Sequence, residues 1–532
     1  MTFTQAVMPG RNNLLLLLPL ELLLSISSYL SNRDLKNLRL TCASLRDRVL
    51  LRLDRVFLSP NGRNIEVFRA IASHETYRRR VVEIIWDEAR LIDWPPKNAR
   101  SSNASLMASQ TGVWYAHIAC NCEDCACNTP EGCPAWFTHI CRENIADLIR
   151  RIPYSVKQQN HIAKAEQVAA DLPLRQSWIY YKGLLETQKV ALRSGADIKA
   201  FKFGLKQFPA LKKITTTSAA HGWLFSPLYE TPMIRDFPRG FNYPIPRGLP
   251  FSYHQDIPLK PGARSFKAEK IRKDQWRGFQ TATRLLALGQ DHHVSELVVD
   301  VNQLRNGLSY HIFNEPCREY DNLTTLLRRP GFSRLDLAVF VGKQTSENWS
   351  SSRLSRLHEA LACAPELQHF SICTDQRNSY HDSKGPISAL TPLQTIFPVD
   401  RWRRLQHFGL SGFPVSQDNL LALLAALPPT LRSIEFGFLV FLKKGESHRT
   451  LLEQMRDTLG WRDRAVEERP RVSIMLKRYA SIEGRSTWVG ESVAEFLYGD
   501  GENPFSGNQD DIKDGMGVDR DSIHFDPVYE RS

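Results

Sequence analysis

Six of the ten cysteines lie in one short segment, between positions 120 and 141. Two of them, Cys122 and Cys125, are separated by two residues, a spacing that lets both thiolates bind one tetrahedral zinc ion. Cys133 and Cys141 complete the predicted structural zinc site, with His139 as an alternative ligand. Reduced thiols without a metal, or disulfides in an oxidising compartment, are the competing interpretations.

No motif in the sequence supplies the groups that catalysis needs. There is no G-x-x-x-x-G-K-[ST] phosphate loop, no nucleophile elbow, no H-E-x-x-H and no G-x-G-x-x-G after a strand. A cysteine nucleophile requires an activating base, and no pattern marks one beside the cysteine cluster. We therefore predict a protein without catalytic activity, for which zinc is the one cofactor to consider.

Composition places the chain among globular proteins. It has 532 residues, of which 42% are hydrophobic, 24% charged and 10% aromatic, and this excludes collagen-like, wholly disordered and small disulfide-rich classes. The net charge is +12, with acids gathered in residues 481–532 and bases scattered in short groups through the rest. Because no long run of bases concentrates the charge on one element, we do not expect a nucleic-acid partner.

The leucine-rich segment from Leu14 to Leu24 has the length of a secretory apolar region. Pro19 and Glu21 interrupt it, and no small residues follow at the spacing of a cleavage site. No stretch reaches the roughly 18 uninterrupted apolar residues that span a bilayer. We therefore expect a soluble protein of the cytoplasm or nucleus, without a membrane partner.

Three short amphipathic helices are predicted within residues 14–58. Apolar residues recur at helical spacing from Leu22 through Leu30 and again from Leu35 through Cys42, and the pattern resumes past a bend near positions 43 and 44. Pro19 opens the first helix, where its missing N–H costs nothing. These helices carry more apolar surface than a unit of about 45 residues can bury alone. The remaining face requires a partner.

This segment resembles the F-box. From position 18 to position 46 it reads L-P-x-E-L-L, then I-x-x-x-L, then R-D-L-x-x-L-R-x-x-C-x-x-x-R. In that family the leading L-P turn and the helix residues bind a Skp-family adaptor, which joins the protein to a cullin-RING ubiquitin ligase. The resemblance implies an adaptor-binding set of eight residues, the last three shared with internal packing: Leu18, Pro19, Leu22, Ile26, Leu30, Leu35, Leu38 and Cys42.

The remainder of the chain repeats an L-x-x-L-x-L pattern, with other large apolar residues in place of some leucines. Five frames start at positions 294, 332, 367, 405 and 431, most of them after a helical stretch, and looser copies start at 81 and 211. Because each helix–strand unit leaves an apolar face uncovered, the units must stack. We predict an α/β fold in which a three-helix F-box precedes a curved leucine-rich-repeat-like solenoid of helix and parallel strand units. An ordinary α/β domain is the alternative.

The frames also predict which side chains face away from the core. Residues between the buried positions point to the opposite side of a strand, which places a mixed-charge row on the concave surface of the repeats. We expect this surface to bind a protein substrate. The predicted contacts, with Glu296 on the same side, are Lys213, Arg334, Asp336, His369, His407 and Glu435.

Two insertions and a tail complete the predicted organisation. A flexible start (1–13), the F-box (14–58) and a first repeat-like unit (59–94) precede a cysteine-rich insertion (95–155). The repeat body (156–480) contains a proline- and aromatic-rich insertion (215–275), which we expect to pack as a long loop over one face of the repeats. An acidic, mostly disordered tail (481–532) follows.

The resemblance extends to fungal F-box proteins with repeat bodies, and it implies an adaptor function. The F-box would hold the ligase core while the repeat body holds a protein substrate, so that proximity promotes ubiquitin transfer. A protein-binding scaffold that uses the Skp-family adaptor without ubiquitination is the alternative.

Overall fold

The structure is a computed structural model of the chain. It describes residues 14–30, 32–92, 132–150, 166–246, 276–289, 292–302, 304, 306–314, 316–341, 351–375, 392–476, 485–507 and 511–521. The predicted α/β class is confirmed, because helices alternate with the strands of one large, mostly parallel sheet. Across these ranges no helix combines the length and the apolar character that crossing a membrane requires.

Twelve strands of the described residues form the main sheet. From β1 to β10 the strands lie side by side in chain order and run parallel, except that the short β5 pairs with β6 outside this row. The last two strands continue the sheet in antiparallel orientation. In chain order the strands are β1 Arg55–Leu58, β2 Glu83–Asp87, β3 Lys213–Thr217, β4 Glu296–Asp300, β5 Leu308–Ser309, β6 Arg334–Phe340, β7 His369–Thr374, β8 His407–Ser411, β9 Ser433–Gly437, β10 Arg471–Leu476, β11 Arg485–Val489 and β12 Val518–Asp521.

Helices connect the strands, and successive helices of the body pack beside one another. Two small two-stranded sheets lie outside the main sheet, Pro414–Val415 with Val440–Phe441 and Phe505–Ser506 with Asp511–Ile512. The α-helices of the described residues are Leu14–Leu17, Leu20–Ser28, Asn32–Thr41, Ala43–Arg48, Gly62–Ser73, Glu75–Arg78, Ala135–Arg150, Leu174–Ser194, Ala196–Gln207, Pro232–Arg235, Arg277–Leu288, Arg318–Leu327, Ser351–Ala362, Leu393–Ile396, Gln417–Ala426, His448–Thr458 and Glu491–Tyr498.

Local sequence explains where several helices begin and end. The side chain of Asn61 accepts a hydrogen bond from a backbone N–H in the first turn of Gly62–Ser73, which satisfies one of the unpaired donors at a helix start. Gly195 separates the helices Leu174–Ser194 and Ala196–Gln207 with a φ of 63°. This left-handed conformation suits glycine, which has no Cβ to clash, and it lets the chain turn directly into the next helix.

The main core lies on one face of the sheet, between the strands and the helices. In each of the five predicted frames the first apolar residue precedes the strand and the other two lie on it. The central residue of each frame is buried beside its counterpart on the next strand. Fully burying such a side chain contributes about 1.5–3 kcal/mol of transfer free energy. The resulting row of neighbours is Ile214, Leu297, Leu335, Phe370, Phe408 and Ile434.

The described parts of the two predicted insertions pack against each other. Helix Ala135–Arg150 and helix Leu174–Ser194 share a second core with Phe241 and Tyr243, which come from the aromatic-rich insertion. The side chain of Asn144 donates a hydrogen bond to the carbonyl oxygen of Tyr243 at 2.8 Å. The described parts of the cysteine-rich and aromatic-rich segments therefore share this second core.

The prediction of a mostly disordered tail is wrong for residues 485–507 and 511–521. Strand β11 pairs with β10, and helix Glu491–Tyr498 packs on β10. Val493 and Leu497, four residues apart on this helix, are buried in the main core. The acidic composition was misleading because the charges lie at the surface, as in the exposed pair of Glu502 with Lys513 at 2.9 Å.

Residues 14–58, the predicted F-box segment, are not helical to their end. The third of the predicted helices, Ala43–Arg48, ends where Val49 adopts an extended backbone. Residues 55–58, assigned to the F-box from the sequence, form β1 of the main sheet. Pro19 lies at the N-cap of helix Leu20–Ser28, immediately before its first turn.

Candidate functional site

Large apolar side chains are exposed along the first long helix, Leu20–Ser28, and just beyond its end. Leu22 is 53% exposed and Ile26 is 44% exposed, whereas their neighbour Leu23 is fully buried. Soluble proteins rarely leave a contiguous apolar patch uncovered unless it binds something. Leu22, Ile26 and Tyr29 follow one another at helical spacing and share one side of this helix, whereas Leu20 and Leu24 are exposed on another side. We name the first set the leucine face: Leu22, Ile26 and Tyr29.

The structure divides the eight predicted adaptor-binding residues into three groups. Pro19, Leu22 and Ile26 are exposed, and Leu35 is buried in the small core of the N-terminal helices. Leu35 therefore packs inside this core, and its share in adaptor contact stays a prediction. The half-buried residues are Leu18, Leu30, Leu38 and Cys42, and the last three pack against this small core.

Two arginines hold the backbone around the leucine face. The guanidinium of Arg48 donates to the carbonyl oxygen of Leu16 at 2.9 Å and to that of Leu18 at 2.5 Å. Arg52 donates to the carbonyl oxygens of Ser28 and Leu30. Carbonyl groups at the end of a helix have no partner within the helix. These contacts fix the leading L-P turn and the end of the helix. The sequence pattern predicts no role for either arginine.

All six predicted substrate contacts lie on the face of the main sheet opposite to the core. Lys213, Arg334, His369 and His407 lie in one row of register neighbours. Asp336 and Glu435 lie two residues beyond this row on their strands. The row passes through Glu296, as predicted. We name this set the charged face: Lys213, Arg334, Asp336, His369, His407 and Glu435.

Asp336 is the centre of an ion-pair cluster on the charged face. Arg334 Nη2 lies 2.6 Å from Asp336 Oδ2, and His369 Nε2 lies 3.0 Å from Asp336 Oδ1. Burial alone would raise the pKa of Asp336, but the close approach of His369 and then the charge of Arg334 hold it below its usual range. Asp336 is therefore an ionised carboxylate that fixes two cationic or polar neighbours.

The imidazole of His407 is held in place by its neighbours on both sides. Its ring stacks on that of His369, with centroids 4.0 Å apart, and its Nδ1 lies 2.8 Å from the Ser433 hydroxyl. Burial, followed by the adjacent His369, lowers the pKa of His407 to about 3. His407 is therefore neutral at physiological pH and presents a flat, polar ring.

Glu435 makes the charged face sensitive to pH. Burial and the nearby negative charge of Asp336 raise the pKa of Glu435 to about 7. The neighbouring strand carries Gly409 at the position paired with Glu435, and a Cβ there would lie 2.5 Å from the Ser371 hydroxyl oxygen. Small residues, Gly409 and Ser473, therefore flank Glu435 on the two neighbouring strands.

Lys213 is engaged by a residue that the sequence reading did not select. Its Nζ lies 3.1 Å from Glu83 Oε1, while Arg55 Nε lies 2.8 Å from Glu83 Oε2. The three residues stand side by side in register on β1, β2 and β3. Basic and acidic residues alternate along this register row. The alternation indicates the cluster, but it can be recognised only once the pairing of the strands is known.

A buried polar cluster lies near the carboxyl ends of β2 and β3. His221 Nδ1 lies 2.8 Å from the Tyr243 hydroxyl, and His221 Nε2 lies 3.6 Å from Asp87 Oδ2. Burial raises the pKa of Asp87 to about 8 and lowers that of His221 to about 3. All three groups are almost fully buried, so the cluster ties the aromatic-rich loop to the sheet and offers no accessible reaction centre.

Two of the four predicted zinc ligands are described. Cys133 and Cys141 are both buried in the second core, and the Cys141 thiol lies 3.6 Å from the carbonyl oxygen of Asn242. Burial raises the pKa of the Cys141 thiol well above its usual value. Cys122 and Cys125 lie outside the described residues, so zinc binding stays a prediction. Within the described ranges no three His, Cys, Asp or Glu side chains are grouped as metal ligands.

Comparison with known proteins adds no family assignment. No family model matches the chain, and no curated protein sequence matches it. The candidate sites therefore rest on the leucine face and the charged face alone.

Proposed function

We propose that the chain is a substrate-recognition adaptor of a Skp-cullin-F-box ubiquitin ligase. In this proposal the N-terminal helices are an F-box, and the sheet with its helices is a curved leucine-rich-repeat-like solenoid. The chain supplies binding surfaces and no catalytic group, and it acts in the cytoplasm or nucleus. The observation that carries the proposal is the exposure of Leu22 and Ile26 beside the L-P turn at positions 18 and 19.

The leucine face supports adaptor binding through its density of exposed apolar side chains. Elsewhere in the described residues, large exposed apolar side chains such as Ile179 and Val190 are few on any one element. Burying apolar surface contributes about 25 cal/mol per Å². The three side chains of the leucine face therefore provide a binding free energy that polar surface loops do not.

The order of the strands supports the solenoid. Nine strands from β1 to β10 lie in chain order and pair in parallel, with the off-row β5 excepted. One face of this sheet carries the helices and the core, while the other carries the charged face. A stack of repeats presents an extended surface of this kind to partners, and we assign substrate binding to it.

A co-purification experiment tests the proposal. The full chain, Leu22→Asp with Ile26→Asp, and Ile179→Asp with Val190→Asp are each used to capture a purified Skp-family adaptor and cullin. We expect the first double variant to lose both partners and the second, which changes exposed apolar residues on another helix, to retain them. Equal capture by all three proteins would sink the proposal. Capture of the adaptor without cullin would favour the scaffold alternative.

A further inference from the structure

Arginine and lysine residues gather at one edge of the main sheet. In a parallel sheet every loop that leads into a strand lies at the same edge. The loops that lead into β2, β3, β6, β8, β9 and β10 carry basic side chains there, although these residues are scattered in the sequence. We name this set the basic edge: Arg79, Arg80, Lys212, Arg328, Arg401, Arg403, Arg404, Arg432 and Arg462.

Backbone hydrogen bonds join neighbouring loops of the basic edge. The N–H of Lys212 donates to the carbonyl oxygen of Val82 at 2.9 Å, at the start of β2 and β3. The N–H of Arg432 donates to Gln406 at 2.8 Å, and that of Arg471 donates to Arg432 at 2.8 Å. With about 4.8 Å between strands, the seven steps from β2 to β10 make the basic edge roughly 34 Å long.

The opposite edge of the sheet carries charges of both signs. Strand β4 ends in Asp300 and Asp375 directly follows β7, while Arg239 and Lys444 lie in loops that follow β3 and β9.

The basic edge contains a cleft of about 440 Å³ at the loop that leads into β8. Arg401, Arg403 and Arg404 line it together with Pro365, Glu366 and Asp400. Arg404 pairs with Glu366 at 3.3 Å and Arg401 with Asp400 at 3.4 Å, whereas Arg403 is exposed and forms no ion pair among the described residues. The cleft therefore offers a cation that an added anion can approach.

We propose that the basic edge binds a nucleic-acid duplex through its phosphate backbone. Arginine guanidinium groups match the planar geometry of phosphate oxygens. A duplex carries one negative charge per about 1.7 Å, or roughly 20 charges along 34 Å. This function is separate from the leucine face and the charged face, and it does not depend on the proposed ligase role.

Aromatic residues of the basic edge argue for a duplex over a single strand. Single strands are bound largely by stacking of bases on exposed aromatic rings. In the loops of the basic edge, Phe332, Trp402 and Trp461 are all buried. Backbone contact is the interaction that this edge offers, and a rigid duplex presents its phosphates over the full length of the edge.

The test measures fluorescence anisotropy of a labelled 20-base-pair DNA duplex of arbitrary sequence with the full chain, from 50 to 300 mM salt. The variant Arg328→Glu with Arg403→Glu reverses two exposed, unpaired cations of the basic edge. The control Arg239→Glu with Lys444→Glu makes the same charge change at exposed residues in loops that follow β3 and β9. Arg328→Gln with Arg403→Gln removes the two charges without adding repulsion.

We expect the basic-edge reversal to weaken duplex binding at least about tenfold and to lower the salt slope by about 2, with the control within about twofold. The glutamine pair should show an intermediate loss. Equal losses in the reversal and the control, or no duplex binding at 50 mM salt, would overturn the proposal. A polyglutamate chain that displaces the duplex at equal charge concentration would assign the edge to an acidic protein segment and also overturn it.

Discussion

The Asp336 carboxylate on β6 lies 3.0 Å from His369 Nε2 on the neighbouring strand β7. The same carboxylate holds the Arg334 guanidinium at 2.6 Å. One aspartate therefore fixes the positions of two neighbouring side chains on the charged face. Replacing Asp336 should therefore lower the stability of the sheet and change the positions of these two side chains on its surface.

Replacing Asp336 with asparagine should lower the free energy of unfolding by about 1–3 kcal/mol. The change leaves Arg334 without its counter-ion, and the loss is smaller than for a fully buried pair because both groups retain some exposure to water. Urea unfolding provides the measurement. Glu366→Gln, which breaks the exposed pair with Arg404, serves as the control and should cost about 0.5 kcal/mol or less. Equal effects of the two substitutions would contradict the central position of Asp336.

The buried Asp87 should make the protein less stable as the pH rises. Its pKa is raised to about 8 in the folded protein by burial, while in the unfolded chain it has the ordinary value near 3.9. Between these values the folded state binds more protons than the unfolded state, so the free energy of unfolding falls as the pH increases. The loss is complete once the pH exceeds the folded pKa.

The interval from pH 7 to pH 8 isolates this effect. Burial also raises the pKa values of Glu88 and Glu435 to about 7, so most of their contribution is lost below this interval. The neutral His221 affects stability only at lower pH. We expect Asp87→Asn to flatten the dependence of stability on pH between 7 and 8, and Glu66→Gln, at an exposed position, to leave it unchanged. Chemical denaturation at several pH values measures this, and an unchanged slope in Asp87→Asn would refute the assignment.

Adjacent leucines in the first long helix should respond in opposite ways to truncation. Leu23 is fully buried and Leu22 is 53% exposed. Leu23→Ala should lower the free energy of unfolding of the N-terminal helices by about 2–5 kcal/mol, whereas Leu22→Ala should change it by less than about 0.5 kcal/mol. Hydrogen exchange of the backbone amides in residues 20–48 reports on this unit separately from the sheet. Similar loss of protection in both variants would mean that the leucine face is not free surface.

The sequence predicts the strands of the body well because the spacing of apolar residues is strict. Leu335 and Phe370, for example, occupy the same place in successive frames and become register neighbours in the sheet. The surplus of leucines in the N-terminal helices likewise predicts an exposed apolar face. Both inferences depend on residues close together in the chain, where periodicity carries the information.

Features that depend on distant residues were missed. Asn144 and Tyr243 join two insertions that are far apart in the sequence, and no local pattern indicates their contact. The arginines of the basic edge have no common motif, because they share only their position before a strand. Arg48 donates to the backbone carbonyl oxygen of Leu18. Every residue has such an oxygen, so no particular side chain in the sequence indicates the partner.

The affinity of a purified Skp-family adaptor for the full chain tests the central claim most directly. Isothermal titration of the adaptor into the unmodified chain, into Leu22→Asp with Ile26→Asp, and into Ile179→Asp with Val190→Asp separates the leucine face from exposed apolar residues elsewhere. We predict that the first pair of substitutions weakens binding at least about 100-fold, since two apolar side chains are replaced by charges that the interface would have to bury unpaired. The second pair should leave the affinity unchanged. Equal affinity of all three proteins for the adaptor, or no binding by the unmodified chain, would contradict the account.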